Sequence, residues 1–227
     1  PFVGVGWYRT EFDVPQFQAG KRATILFDGA MSHANVYING QKVGYWPYGY
    51  NSFHFDITKY LKPGEKNTLA VRLENLPESS RWYPGAGLYR NVHLIITEDA
   101  YIPVWGTYIT TPSVNEKFAK VNVRTKVVLP EGADPAKYSV ETSVWNPNKQ
   151  KLTAVRTSLA QMKYNNNQAE QEFVIQAPSL WSPEMPALYS AETRLYEGDK
   201  LKDIYTTPFG IRSIEIIPDK GFFLNGK

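Results

Sequence analysis

Ala34-Asn35-Val36-Tyr37-Ile38-Asn39-Gly40 reads as a strand running into a tight turn. Val36 and Ile38 alternate with Asn35 and Tyr37, the period of two that sends successive side chains to opposite faces of a sheet. Asn39-Gly40 then accommodates the positive φ angles of a type I′ hairpin turn. Outward from this stretch the same alternation recurs. Leu69, Val71 and Leu73 interleave with Thr68, Ala70 and Arg72; Val121 and Val123 with Asn122 and Arg124; Val140, Thr142 and Val144 with Glu141 and Ser143. Turn residues punctuate the runs at Ala19-Gly20, Pro63-Gly64, Pro130-Glu131-Gly132, Asn146-Pro147-Asn148 and Glu197-Gly198-Asp199. Helical periodicity is almost missing, with one short turn expected at Thr58-Lys59-Tyr60-Leu61. Many short strands spaced this way predict β-sandwiches, and 227 residues exceed one small sandwich.

The expected boundary falls near residues 98–103, where Glu98-Asp99 ends one run and Pro103 breaks the next. Residues 1–100 hold at least seven strand-like runs with long, aromatic-rich connections, which suits a jelly roll. Residues 101–212 carry about seven more at immunoglobulin-like spacing. Asn165-Asn166-Asn167 reads as a hairpin tip. In residues 213–227, Phe222-Phe223-Leu224 is an apolar strand followed by the turn pair Asn225-Gly226, which predicts a return arm beyond Lys227.

Composition narrows the function classes. Hydrophobic residues at 42% and charged residues at 21% mark a folding chain rather than a disordered one. The 25 Lys and Arg residues are scattered and the net charge is only +3, so no basic stripe tracks a nucleic-acid backbone. No apolar run approaches the roughly 20 residues of a membrane helix. Absence of cysteine removes disulfides, thiolate metal sites and thiol nucleophiles without fixing the compartment. The chain opens at Pro1 rather than Met, so a missing export signal decides nothing, and a periplasmic or secreted location stays open. Six Trp and 15 Tyr allow two readings: aromatic sandwich cores, or rings stacked on sugar C–H groups.

Chemistry-bearing patterns are sparse. His33, His54 and His93 are far apart in sequence, and no metal site or cofactor is expected. His54 and Asp56, two apart, share a strand face as a polar contact. No nucleophile elbow or phosphate loop occurs; Gly85-Ala86-Gly87 precedes a strand-like run rather than a helix. Glycosidic hydrolysis needs two flanking carboxyl groups, and Glu74, Glu98, Asp99 and Glu131 read instead as solvated charges on strand faces and turns. No catalytic residue is assigned.

Several segments in order resemble glycoside hydrolase family 2, and within it the bacterial β-galactosidase type. Gly6-Trp7-Tyr8-Arg9 with Phe12 and Val14-Pro15 is similar to the family's first jelly-roll strand, and Phe27-Asp28-Gly29-Ala30 with Ala34 to Gly40 to its central hairpin. The most specific match is Ser80-Arg81-Trp82-Tyr83-Pro84-Gly85-Ala86-Gly87-Leu88-Tyr89-Arg90, with Arg81, Trp82, Gly85, Gly87 and Arg90 as its structural motif. Trp181-Ser182-Pro183, Pro186-Ala187-Leu188-Tyr189 and Phe209-Gly210-Ile211-Arg212 resemble the family's immunoglobulin-like domain.

The resemblance implies an all-β chain: a galactose-binding-like jelly roll, then an immunoglobulin-like sandwich, then residues 213–227 as the lead-in to a (β/α)₈ barrel that holds the catalytic glutamates. The implied partners are that C-terminal barrel and, for the parent protein, a β-galactoside. The alternatives are a free-standing carbohydrate-binding module or part of a related β-glucuronidase or β-mannosidase. Loops of the first domain can help shape the barrel's sugar pocket, which makes Tyr50, Asn51 and Trp82 candidate substrate-binding residues. The stretch Tyr48 to Ser52 departs from the family pattern, with Tyr48 where a second Gly usually stands and no Asp. Trp82 has a competing expectation, as a plug of the sandwich core whose loss would cost about 3–5 kcal/mol. Arg81 and Arg90 are expected to bridge carboxylates or backbone carbonyls.

Overall fold

The computed structural model describes residues 3–16, 20–79, 82, 85–160 and 168–227. The chain forms two compact units, Pro1–Glu98 and Asp99–Lys227.

Among the described residues the first unit is a sandwich of seven strands: β1 (Gly4–Asp13), β2 (Arg22–Phe27), β3 (Ala34–Ile38), β4 (Gln41–Trp46), β5 (Phe53–Asp56), β6 (Lys66–Asn75) and β7 (Val92–Thr97). One sheet has the order β1-β6-β3-β4 and the other β5-β2-β7, with antiparallel pairing throughout. Alternation decides the faces: Val36 and Ile38 of β3, and Val71 and Leu73 of β6, point inward against Ile25 and Phe27 of β2. Phe27 stacks on Phe53 at 4.8 Å, and Trp46 stacks on Phe53 at 5.6 Å. Asn39 and Gly40 take φ values of 50° and 81°, the left-handed pair that a type I′ turn requires. A 3₁₀ turn spans Thr58–Tyr60, where the sequence predicts a helical turn.

The second unit holds β8 (Thr107–Val114), β9 (Phe118–Lys126), β10 (Tyr138–Trp145), β11 (Lys151–Ser158), β12 (Gln168–Gln176), β13 (Tyr189–Glu197) and β14 (Lys200–Phe209). Its sheets run β11-β10-β13-β14 and β12-β9-β8. Two apolar clusters fill it, one around Val121, Val144 and Phe173, the other around Val127, Val140 and Leu195. Between them in strand order lie buried Thr125, Thr142, Gln171 and Thr193, on β9, β10, β12 and β13 respectively. Gln171 Nε2 donates to the Val155 carbonyl at 3.0 Å, and the Thr142 and Thr193 hydroxyls meet at 3.3 Å.

The C-terminal segment differs from its sequence reading. Phe222-Phe223-Leu224 already has a partner, because β16 (Gly221–Leu224) pairs antiparallel with β15 (Ile214–Ile217). The turn signal is nonetheless real: Asn225 and Gly226 have φ values of 54° and 79°, and Leu224 and Lys227 exchange both backbone hydrogen bonds. Asn225 is drawn inward as well, accepting from Ser213 N and donating to the Trp181 carbonyl, both at 3.0 Å. Residues 165–167, read as a hairpin tip, lie outside the described residues.

Candidate functional site

The β2–β3, β4–β5 and β6–β7 connections meet at one end of the first unit. Met31 and Gly87 exchange backbone hydrogen bonds at 3.1 and 3.0 Å, joining the first connection to the third. Tyr89 donates its hydroxyl to the Gly49 carbonyl at 2.9 Å, tying the third to the second, and Ser52 Oγ donates to the Asp28 carbonyl at 3.1 Å. Glycine is required where these loops cross. A Cβ on Gly49 would run into the Met31 side chain, and one on Gly87, whose φ is +98°, would strike the Tyr8 hydroxyl.

Tyr50 and Asn51 lie in the β4–β5 loop with exposed side chains, and Tyr50 meets the exposed Tyr48 edge to face at 5.6 Å. Trp82 is 65% exposed, which overturns its expected role as a core plug. The tryptophan of this unit that lies against the core is Trp46, packed on Phe53. Gly85 has a φ of +81°. Arg90 lies over the Tyr89 ring at 5.3 Å and donates to the Asp28 carbonyl at 3.4 Å, so it bridges to a backbone carbonyl. Arg81 and Ser80, Tyr83 and Pro84 lie outside the described residues. The sequence reading missed Met31, Tyr89 and Asp28 as the groups that hold this end together. The signal available for Tyr89 and Met31 was the pair of glycines they press against, Gly29 and Gly49.

Two carboxylates at this end, those of Asp28 and Glu74, have side-chain partners. Asp28 Oδ2 sits 3.0 Å from His93 Nε2. Glu74 is ion-paired with Arg72, whose hydrogen bond holds the Glu74 carboxyl below the usual carboxylate range. A general acid in glycoside hydrolysis needs the opposite shift, upward, to hold its proton. Glu74 therefore lacks the electrostatics of a catalytic acid, although it is not the free solvated charge its strand position suggested. His33 Nδ1 pairs with the Tyr45 hydroxyl at 2.6 Å. Among the described residues no group of three His, Asp or Glu side chains is placed to hold a metal ion. Among the described residues these loops present to solvent the rings of Tyr48, Tyr50 and Trp82 and the amide of Asn51, chemistry that stacks on and hydrogen-bonds a polyol, together with the charged Glu78 and Arg90.

A jelly roll with aromatic end loops, followed by an immunoglobulin-like sandwich, defines a class: the accessory β-domains of carbohydrate-active proteins. The match to known families is direct. The model of the glycosyl hydrolases family 2 sugar binding domain matches residues 2–98, and the glycosyl hydrolases family 2 model matches residues 101–212. This chain belongs to glycoside hydrolase family 2. It is 40% identical over 225 residues to β-galactosidase BoGH2A of Bacteroides ovatus, covering 99% of this chain and 26% of that protein. It is 38% identical to a putative β-glucuronidase of Formosa agariphila, of which it covers 21%. The crystal structure of a family 2 member from Bacteroides cellulosilyticus superposes with a TM-score of 0.88 at 34% identity, over all of this chain and 31% of that one. The chain thus spans about a quarter of the length of the curated relatives it matches.

Proposed function

We propose that this chain is a non-catalytic portion of a retaining β-galactosidase, in which it scaffolds a catalytic barrel and lends loop side chains to the sugar pocket. The observation that carries the reading is the division of labour at the loop end. Aromatic Tyr48, Tyr50 and Trp82 face solvent, whereas Asp28 contacts the His93 ring and Glu74 is ion-paired with Arg72. Asn51 and Tyr50 would contact the sugar from the β4–β5 loop, and Trp82 from the β6–β7 connection. Residues 213–227 would lead into the barrel. Ile214, Ile216 and Phe222 of the β15–β16 hairpin are 55%, 77% and 62% exposed, an apolar face of the kind that marks a buried interface in a larger assembly. Galactoside specificity is supported by the similarity to the Bacteroides ovatus β-galactosidase; the Formosa agariphila relative favours a second reading, a β-glucuronidase. The exposed rings also favour a free-standing carbohydrate-binding module.

The test uses two proteins: this chain alone, and the same chain continued into a barrel from its own gene. With nitrophenyl β-galactoside and β-glucuronide as substrates, the chain alone is expected to release no nitrophenol, and the longer protein to cleave the galactoside. In the longer protein, Asn51→Ala is expected to raise KM about tenfold, the loss of one polar contact of roughly 1.4 kcal/mol. Hydrolysis by the chain alone, freed of contaminating activity, would end the non-catalytic reading; preference for the glucuronide would end the galactoside one.

A further inference from the structure

We propose that the outer face of the β8-β9-β12 sheet carries a binding groove for a neutral carbohydrate, with the Tyr108 ring as its stacking platform. The groove measures about 230 Å³, and the side chains used here are Tyr108, Thr110, Asn122, Arg124, Glu170 and Glu172. Strand register sets them in two rows of three. Tyr108 stands opposite Arg124, which stands opposite Glu170; Thr110 stands opposite Asn122, which stands opposite Glu172. The register of β8 slips between Thr110 and Ser113, an irregularity that bends the strand and increases its local twist.

Three properties select the ligand class. Tyr108 is 63% exposed, and among the described residues no cation or second ring covers its face. An uncovered aromatic face above a polar floor suits the C–H face of a pyranose. The charges of the groove cancel locally: Arg124 Nε lies 2.7 Å from Glu170 and Lys120 Nζ 3.5 Å from Glu172. Among the described residues lining the groove, each charge already has an opposite partner, which favours an uncharged ligand over an anionic or cationic one. The same pairs offer what hydroxyls need, because the remaining guanidinium N–H groups and the Asn122 amide donate while the carboxylate oxygens and Thr110 accept. Neighbouring strands set these groups about 4.8 Å apart on a rigid frame. The groove shares no residue with the loop end of the first unit, so the inference stands whether or not the proposed β-galactosidase role does.

The test is a titration of the whole 227-residue chain with lactose, followed by amide chemical shifts, with glucuronic acid as the charged counterpart. Saturable shifts are expected at Thr110, Asn122 and Arg124, with weaker response to glucuronic acid. Tyr108→Ala is expected to lower lactose affinity about tenfold without moving the thermal midpoint, and Tyr108→Phe to retain it. Asn122→Ala serves as a second variant on a different strand, expected to weaken binding with the sheet intact. Shifts confined to other residues, or affinity indifferent to both Tyr108→Ala and Asn122→Ala, would overturn the site; equal or tighter binding of glucuronic acid would overturn its neutral character.

Discussion

Asn67 illustrates how one side chain can organise a loop that the hydrophobic pattern ignores. It is fully buried, yet each polar atom is used. Its Oδ1 accepts from Lys62 N at 2.8 Å and from Asn39 Nδ2 at 2.7 Å, and its Nδ2 donates to the carbonyls of Lys62 and Glu65 at 2.9 Å. Asn39 in turn accepts from Thr68 N, so the β3–β4 turn and the 3₁₀ segment are held by an asparagine pair. Asn67→Ala would remove four part-buried hydrogen bonds at once, those to Lys62 N, the Asn39 amide and the Lys62 and Glu65 carbonyls, each worth about 0.5–1.5 kcal/mol. We expect a loss of about 3 kcal/mol, read as a fall in the urea midpoint with an unchanged slope. Trp82→Ala, run beside it, is expected to stay within about 0.5 kcal/mol because the ring is exposed. A large loss at Trp82 and none at Asn67 would reverse the assignment of which residue is structural.

At the scale of strands, the period of two recovered the inward faces of β3, β6, β9 and β10, because burial of one face leaves a strong alternating signal. It placed Thr142 on the inner face with Val140 and Val144, where the structure buries it. What alternation cannot convey is which strands are neighbours, since register depends on pairing across the chain. The polar layer of Thr125, Thr142, Gln171 and Thr193 therefore emerges only when β9, β10, β12 and β13 are assembled. For the same reason the pairing of β16 with β15 was not legible, while the local turn at Asn225-Gly226 was. The loop end followed suit: Tyr50 and Asn51 could be named from the resemblance, but the Asp28–His93 contact joins residues far apart in sequence.

The cross-strand pair Thr142–Thr193 tests whether the polar layer is stabilising. Thr142→Val alone leaves the buried Thr193 hydroxyl without this partner and is expected to cost about 1–2 kcal/mol. Replacing both threonines with valine keeps shape and removes both hydroxyls, so the double variant should recover most of that loss. A double-mutant cycle on chemical unfolding reads the difference. Strict additivity of the two single losses would show that the hydroxyls do not depend on each other.

For the molecule as a whole, acid stability should be set by carboxyl groups of opposite sense. Asp99 is held below the ordinary carboxylate range, chiefly by its hydrogen bond from Lys202, whose side chain is only 8% exposed. Its contribution to stability is complete above the unfolded value near 3.8 and is lost as pH falls through the lower folded value. Asp203 is shifted upward by burial, against the hydrogen bonds it accepts from Ile102 N at 2.8 Å and Ile204 N at 2.9 Å. Its contribution is complete below the unfolded value and is lost as pH rises through the higher folded value. Acidification also carries the chain from a net charge of +3 towards that of its 25 basic residues plus histidines, and this general repulsion is shared by single-charge variants. Comparison with the parent chain therefore isolates each group. Over about pH 3 to 7, the stability deficit of Asp99→Asn should widen as pH rises through the titration range of Asp99, and that of Asp203→Asn should narrow through the range of Asp203. Urea midpoints at each pH measure both slopes; slopes of the same sign would mean that burial of Asp203 does not govern its titration.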